Sequence, residues 1–329
     1  SKSIENTTPM NTDKSELIEF NRHGGTFQET MHVIYYITGG CKFKCTYCDV
    51  VDNDRVNTDI DNQKLIVDTL MRIEKPFEIY LYGGEPTEYK FIHELIEYII
   101  EKRSKYLTRI ELQTNLNVNF NELSKFLSYD LVTISPSVHI TFLKGDNIHD
   151  IFDKICLIDQ SDKLERIDFM LEKWKKQQHI DLYKMLFEAG YGSKIIFVYN
   201  YYEPNRKDIY TGKWNSNCVE YDTIIKNHQS TQENYKLVYD NGETVYKNAN
   251  QLVEEEMSFE GWLCDAKKNL VWVDYTGDWW ECNTAQIKSP PRGNILTSSD
   301  IFLTETKYPV VCRIKKCDAC FFVKKWRQN

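Results

Sequence analysis

Two groups of cysteines carry the chemistry in this sequence. The first is Cys41-Lys42-Phe43-Lys44-Cys45-Thr46-Tyr47-Cys48, a C-x3-C-x2-C spacing. Three thiolates this close in one loop can wrap one face of an iron–sulfur cube. They leave the fourth iron open, and an open position distinguishes a catalytic metal site from a structural one. The second group is Cys264, Cys282, Cys312, Cys317 and Cys320. Cys264 and Cys282 bracket a hairpin pattern in a C-x12-G-x4-C arrangement around Gly277. A hairpin brings its ends together, so the two thiols can share one site. Cys317 and Cys320 form a C-x2-C pair, and two such pairs supply four ligands. Zinc competes with iron at both places. A zinc knuckle at the first group needs a fourth ligand, and the nearest candidate, His32, belongs to the preceding strand. A four-cysteine zinc ribbon fits the second group. On that alternative the chain is a zinc-binding interaction module with two structural cysteine sites.

The rest of the composition narrows the setting. The chain has 329 residues, with 41 Lys and Arg against 49 Asp and Glu, a net charge of −8. That balance argues against nucleic acid as a partner. No apolar run has the length to cross a membrane, and no secretory signal is visible. Ten cysteines in a cytoplasmic protein read as metal or redox ligands, not as a disulfide framework.

The elements that must position these thiols form a regular series. Strand patterns run over His32–Thr38, Phe77–Tyr82, Arg109–Gln113, Leu131–Ser135, Arg166–Leu171 and Lys194–Tyr199. Helical patterns fall between them near Asn62–Ile73, Lys90–Lys102, Phe120–Leu127, Ile148–Leu157 and Ile180–Glu188. Such alternation predicts an α/β fold with a parallel sheet, whose site lies at the carboxyl ends of the strands. Cys41 follows the first strand, and Gly83-Gly84 follows the second. Residues 1–30 read as a polar N-terminal arm and 31–200 as the alternating domain. Residues 201–260 read as an irregular insertion with one hairpin around Asp240-Asn241-Gly242. Residues 261–329 read as a small cysteine-rich domain.

Over residues 30–200 the chain resembles the radical S-adenosylmethionine superfamily. Tyr47 fills the aromatic place of the C-x3-C-x-aromatic-C signature, and Gly83-Gly84-Glu85-Pro86 matches the GGEP motif. Gln113-Thr114-Asn115 is similar to the T-N-G segment, with Leu116 where glycine is usual. The resemblance implies a partial (β/α)6 barrel. It implies a [4Fe–4S] cluster on Cys41, Cys45 and Cys48, with S-adenosylmethionine on the open iron. It places Tyr47 near the adenine, and Gly83, Gly84 and Glu85 at the amino group. Thr114, Asn115 and Ser135 become cofactor-binding candidates, Ser135 toward the ribose or carboxylate. His139 and the segment 168–172 are further candidates for the barrel mouth.

The C-terminal cysteines resemble the auxiliary-cluster domains of the SPASM and twitch subgroups. Full SPASM domains carry seven cysteines and two auxiliary clusters. Five cysteines look closer to twitch, with a second [4Fe–4S] cluster on Cys264, Cys282, Cys317 and Cys320, and Cys312 as a free thiol or alternative ligand. Cys218 becomes a candidate hydrogen-atom donor. Cys156 sits in an apolar helical stretch and reads as buried and inert. The implied activity is formation of a 5′-deoxyadenosyl radical that abstracts hydrogen from a peptide or small-molecule substrate. The implied electron donor is a flavodoxin or ferredoxin.

Overall fold

A computed structural model describes residues 15–22, 30–43, 45, 48, 59–139, 147–171, 177–199, 219–229, 235–248, 251–252, 255, 257–315, 317 and 324–327. After β1 (Leu17–Arg22), strands and helices alternate. They are β2 (Met31–Thr38), α1 (Ile60–Leu70), β3 (Phe77–Gly83), α2 (Ile92–Glu101), β4 (Leu107–Thr114), α3 (Phe120–Leu127), β5 (Val132–His139), α4 (Asn147–Gln160), β6 (Ile167–Leu171), α5 (Gln177–Glu188), β7 (Ile195–Tyr199) and α6 (Val219–Gln229). The six strands from β2 to β7 lie side by side in chain order, all parallel.

Period-two patterning explains the arrangement. Met31, Val33, Tyr35 and Ile37 point from one face of β2 into a core shared with Ile66, Val67 and Leu70 of α1 and Leu95, Ile96 and Ile99 of α2. Each fully buried aliphatic side chain contributes roughly 1.5–3 kcal/mol. The other face of the strand, with His32, Ile34 and Tyr36, lines the concave side of the sheet. Helix starts are capped locally: Asp59 accepts from Asp61 N–H at α1, and Asn119 from Glu122 N–H at α3.

The chain then forms β8 (Tyr235–Tyr239), β9 (Thr244–Lys247), β10 (Leu263–Cys264), β11 (Leu270–Asp274), β12 (Asp278–Trp280), α7 (Asn283–Lys288), β13 (Gly293–Asn294), α8 (Ser299–Glu305), β14 (Val310–Val311) and β15 (Lys325–Trp326). The expected hairpin of β11 and β12 does not stand apart from the barrel. β11 pairs in parallel with β2, Leu270 opposite His32 through Asp274 opposite Tyr36. The large sheet therefore runs β13-β12-β11-β2-β3-β4-β5-β6-β7. β7 and β13 lie at opposite ends, which is the open, partial barrel expected. Pairing with β11 covers the edge that β2 would otherwise expose.

Two segments correct the sequence reading. Leu17–Arg22, inside the predicted arm, is a strand held between β8 and β15 in a six-stranded antiparallel sheet ordered β14-β10-β15-β1-β8-β9. Its anchor is Phe20, fully buried and stacked on Tyr235 with ring centroids 5.1 Å apart. Val219–Gln229, inside the predicted irregular insertion, is the sixth helix of the barrel. Ile225 joins the main core, and His228 contacts the Ile195 carbonyl (2.9 Å) and the Tyr183 hydroxyl (3.2 Å). The helix is polar along most of its length, so its periodicity is weak.

Candidate functional site

The loop after β2 and the end of β3 are built as one unit. Gly84 N–H donates to the Thr38 carbonyl (2.8 Å), and Glu85 N–H to the Gly40 carbonyl (2.8 Å). A Cβ on Gly83 would collide with the Thr38 carbonyl oxygen, and one on Gly84 with that of Gly40. Gly83 also has φ +148, which side chains rarely adopt. The glycine pair thus lets the strand end sit directly under the start of the cysteine loop. Cys48 N–H closes a turn onto the Cys45 carbonyl (3.0 Å), and Lys42 N–H donates to Glu88 (2.9 Å).

Glu85 joins the cradle to the next strand. It is 1% exposed and accepts from Thr87 N–H (3.1 Å), Thr87 Oγ1 (2.5 Å), Thr114 Oγ1 (2.7 Å) and Asn115 N–H (2.7 Å). Burial pushes its carboxyl up, against these hydrogen bonds. The group therefore ties the end of β3 to the end of β4, with three hydrogen bonds on Oε1 and one on Oε2. Thr114 and Asn115 are brought to the cysteine loop: Asn115 Nδ2 reaches Cys41 Sγ at 4.0 Å. Leu116 has φ +60, the conformation that favours glycine. It is held there by its N–H to Thr114 Oγ1 (3.1 Å) and its carbonyl to Lys154 Nζ (3.2 Å).

Ser135 lies within β5, opposite Gln113 of β4. It is fully buried, and its hydroxyl donates to Glu111 at 2.6 Å. His139, two alternations further along β5, stands at the loop with Nδ1 3.7 Å from Cys45 Sγ. Burial lowers its imidazole to about 4. Tyr47 and Cys218 lie outside the described residues, as does Cys320. Cys156 is half-buried and pairs with the Tyr191 hydroxyl, so it is less secluded than its sequence context predicts.

Below the cradle, the concave face carries a polar network that the sequence reading did not identify apart from Asp168. Arg166 bonds Glu111 (2.5 Å) and Asp168 (3.1 Å), and Gln113 Nε2 donates to both Asp168 and Ser137 (3.1 Å each). The signal was present as charged residues alternating with apolar ones, Arg109-Ile110-Glu111-Leu112-Gln113 and Arg166-Ile167-Asp168-Phe169, in strands buried on both faces.

The C-terminal thiols meet. Cys264, Cys282, Cys312 and Cys317 line a single cavity with Glu281, Arg313 and Lys325. Cys312 thus shares a cavity with three of the candidate ligands. Tyr80 and Tyr82 of β3 pack with Cys264, Cys282 and Cys312 in one apolar cluster, which places this cavity against the barrel's concave face. None of the described cysteines is in a disulfide. Among the described residues no three His, Cys, Asp or Glu side chains converge as one metal ion requires. The donor chemistry at both places, cysteine sulfur alone or nearly so, fits iron–sulfur ligation.

An open six-stranded β/α barrel with a three-cysteine loop after its first strand defines an iron–sulfur enzyme class. The chain belongs to the Radical SAM superfamily, whose sequence profile matches residues 35–199, half of its length. Among solved structures it is similar to Streptococcus suis SuiB bound to S-adenosylmethionine, with TM-score 0.55 and 14% identity, covering 84% of this chain and 66% of that one. It is also similar to anSMEcpe with bound AdoMet and a Kp18Cys peptide, with TM-score 0.58 and 18% identity, covering 84% and 81%. At these identities the likeness is one of fold. Two uncharacterised archaeal proteins match in sequence. The one from Methanocaldococcus jannaschii is 26% identical over 85 residues, covering 26% of this chain and 30% of that protein. The one from Methanothermobacter thermautotrophicus is 27% identical over 110 residues, covering 32% and 42%. The chain thus matches less than half the length of either. No described helix is long and apolar enough to cross a membrane.

Proposed function

We propose that the protein abstracts a hydrogen atom from a peptide or small-molecule substrate at the barrel mouth, assisted by an auxiliary [4Fe–4S] cluster in the C-terminal cavity. The observation that carries this reading is the convergence of Cys264, Cys282, Cys312 and Cys317 on one cavity packed against the strand that ends in the Gly83-Gly84 cradle. Cys41, Cys45 and Cys48 hold the first cluster in this reading. When bound there with S-adenosylmethionine, and given one electron from a flavodoxin- or ferredoxin-type donor, that cluster supplies the 5′-deoxyadenosyl radical.

The chain's own residues do the positioning. Gly83 and Gly84 allow backbone to approach the cofactor's ammonium, while Glu85 fixes the distance between the β3 and β4 ends. Asn115 and His139 flank the loop thiols at Cys41 and Cys45 and limit how the loop can turn. Tyr47 contributes at the adenine and Cys218 as a hydrogen-atom donor, by the family motif and subgroup resemblance. The auxiliary ligands are Cys264, Cys282, Cys317 and Cys320, with Cys312, which lines the same cavity as the first three, as the alternative. A peptide substrate is favoured by the structural neighbours: SuiB was solved with its precursor peptide SuiA, and anSMEcpe with peptides.

Iron and sulfide counts after anaerobic reconstitution test this reading. About eight irons per chain are expected, falling to about four in Cys264→Ala/Cys282→Ala. Four irons in the parent, or zinc at the C-terminal site, overturns the auxiliary cluster.

A further inference from the structure

We infer that Lys325 is a positioning residue whose ammonium raises the reduction potential of the auxiliary cluster, an inference that rests on the cluster proposed above. Lys325 is 2% exposed. It sits on β15 directly opposite Cys264 on β10, as Cα partners of an antiparallel pair. Its side chain lines the cavity that Cys264, Cys282, Cys312 and Cys317 share.

Two aromatic rings, clustered with Cys317, hold the ammonium there. It lies 5.2 Å over the Phe20 ring and 5.0 Å over the Phe259 ring, a cation–π contact with an adjacent ring pair whose centroids are 5.1 Å apart. β1 therefore has a purpose beyond closing the sheet, because Phe20 comes from it. Burial pushes the Cys264 thiol up to about 12, and Lys325 is the positive charge that pulls it down. The cavity's carboxylate is engaged elsewhere: Glu281 pairs with Arg292 (2.8 Å) and Arg313 (2.7 Å). Arg313 also lines the cavity, so among the described residues its rim carries more positive than negative side-chain charge.

The consequence is electrostatic. One-electron reduction of a four-thiolate [4Fe–4S] centre takes its core from 2+ to 1+ and makes the whole group more negative. A nearby buried cation favours that reduced form and raises the potential, with little screening at such depth. Lys325 thereby makes the site a better acceptor for one electron from a substrate-derived radical.

The test is a redox titration, followed by electron paramagnetic resonance, of the reconstituted full chain. Cys41→Ala/Cys45→Ala/Cys48→Ala is present throughout, so that only the C-terminal cluster gives a signal. Lys325→Met is expected to shift the midpoint potential to more negative values, and Lys325→Arg to keep it near the parent. Lys325→Gln is read in place of Met where Met does not hold four irons. Iron retained by Arg but by neither neutral variant also supports the charge role. An unchanged potential in a fully loaded neutral variant overturns the inference. So does an equal shift in Arg and Met, or loss of iron in Arg as well, since shape rather than charge would then matter. A parent that holds no cluster at this site overturns the auxiliary-cluster reading itself, before any Lys325 variant is compared.

Discussion

Tyr82 and Trp272 meet edge to face, with ring centroids 5.5 Å apart and planes at 74°. Tyr82 comes from the strand that ends in the cradle, within electrostatic reach of the Cys48 thiol. Trp272 comes from β11 and packs with Cys282 and Cys312. The pair is a solid apolar joint between the two cysteine sites. Trp272→Ala is predicted to cost about 2–3 kcal/mol, below the 3–5 typical of a fully buried tryptophan, because the ring is only half-buried. Urea unfolding midpoints check this, with Trp272→Phe losing much less.

Gly84 packs against the Gly40 carbonyl, which is backbone and cannot move aside cheaply. Gly84→Ala should therefore displace the start of the cysteine loop while leaving the C-terminal cavity intact. Iron per chain is expected to fall from about eight to about four. A full iron count in Gly84→Ala would show that the loop tolerates the shift.

Leu116 combines a left-handed backbone with a buried side chain (3% exposed). Glycine there would relieve roughly 1–2 kcal/mol of backbone strain, but removing a buried leucine side chain costs about 2–5 kcal/mol. Leu116→Gly is thus predicted to destabilise the fold by about 1–3 kcal/mol, read as a lower urea midpoint. In this chain the leucine belongs to the core as much as to the motif.

Glu78 gives the acid side of the stability profile. Burial opposes its ionisation, but His32 and Arg109 hold its carboxyl down to about 2 from an ordinary 4.5. The unfolded chain takes up the proton first as pH falls, so this contribution is present above about pH 4.5. It is lost progressively toward pH 2. Melting temperatures across that window should fall in the parent, and fall less steeply in Glu78→Gln.

The barrel was legible because each of its strands carries apolar residues on one face at period two, bounded by turn residues. Cys41, Cys45 and Cys48 stood out as candidate cluster ligands from their spacing. What escaped was non-local. β1 gains its stability from β8 and β15, more than two hundred residues away in the chain, and a six-residue segment with one dominant anchor, Phe20, gives no local signal of that. α6 is polar except near Ile224 and Ile225. Cys312 joins the cavity through the pairing of Val310 with Cys264, a register no spacing rule reports. Glu85 matched its motif, yet its hydrogen bonds to Thr114 and Asn115 depend on where β4 ends.

The most direct test of the central claim is anaerobic. The reconstituted protein is mixed with dithionite and S-adenosylmethionine, and 5′-deoxyadenosine and methionine are quantified. The account predicts that both form in equal amounts with the parent, and that neither forms with Cys45→Ala. A parent chain fully loaded with iron that leaves S-adenosylmethionine intact, or cleavage that persists without Cys45, would contradict it.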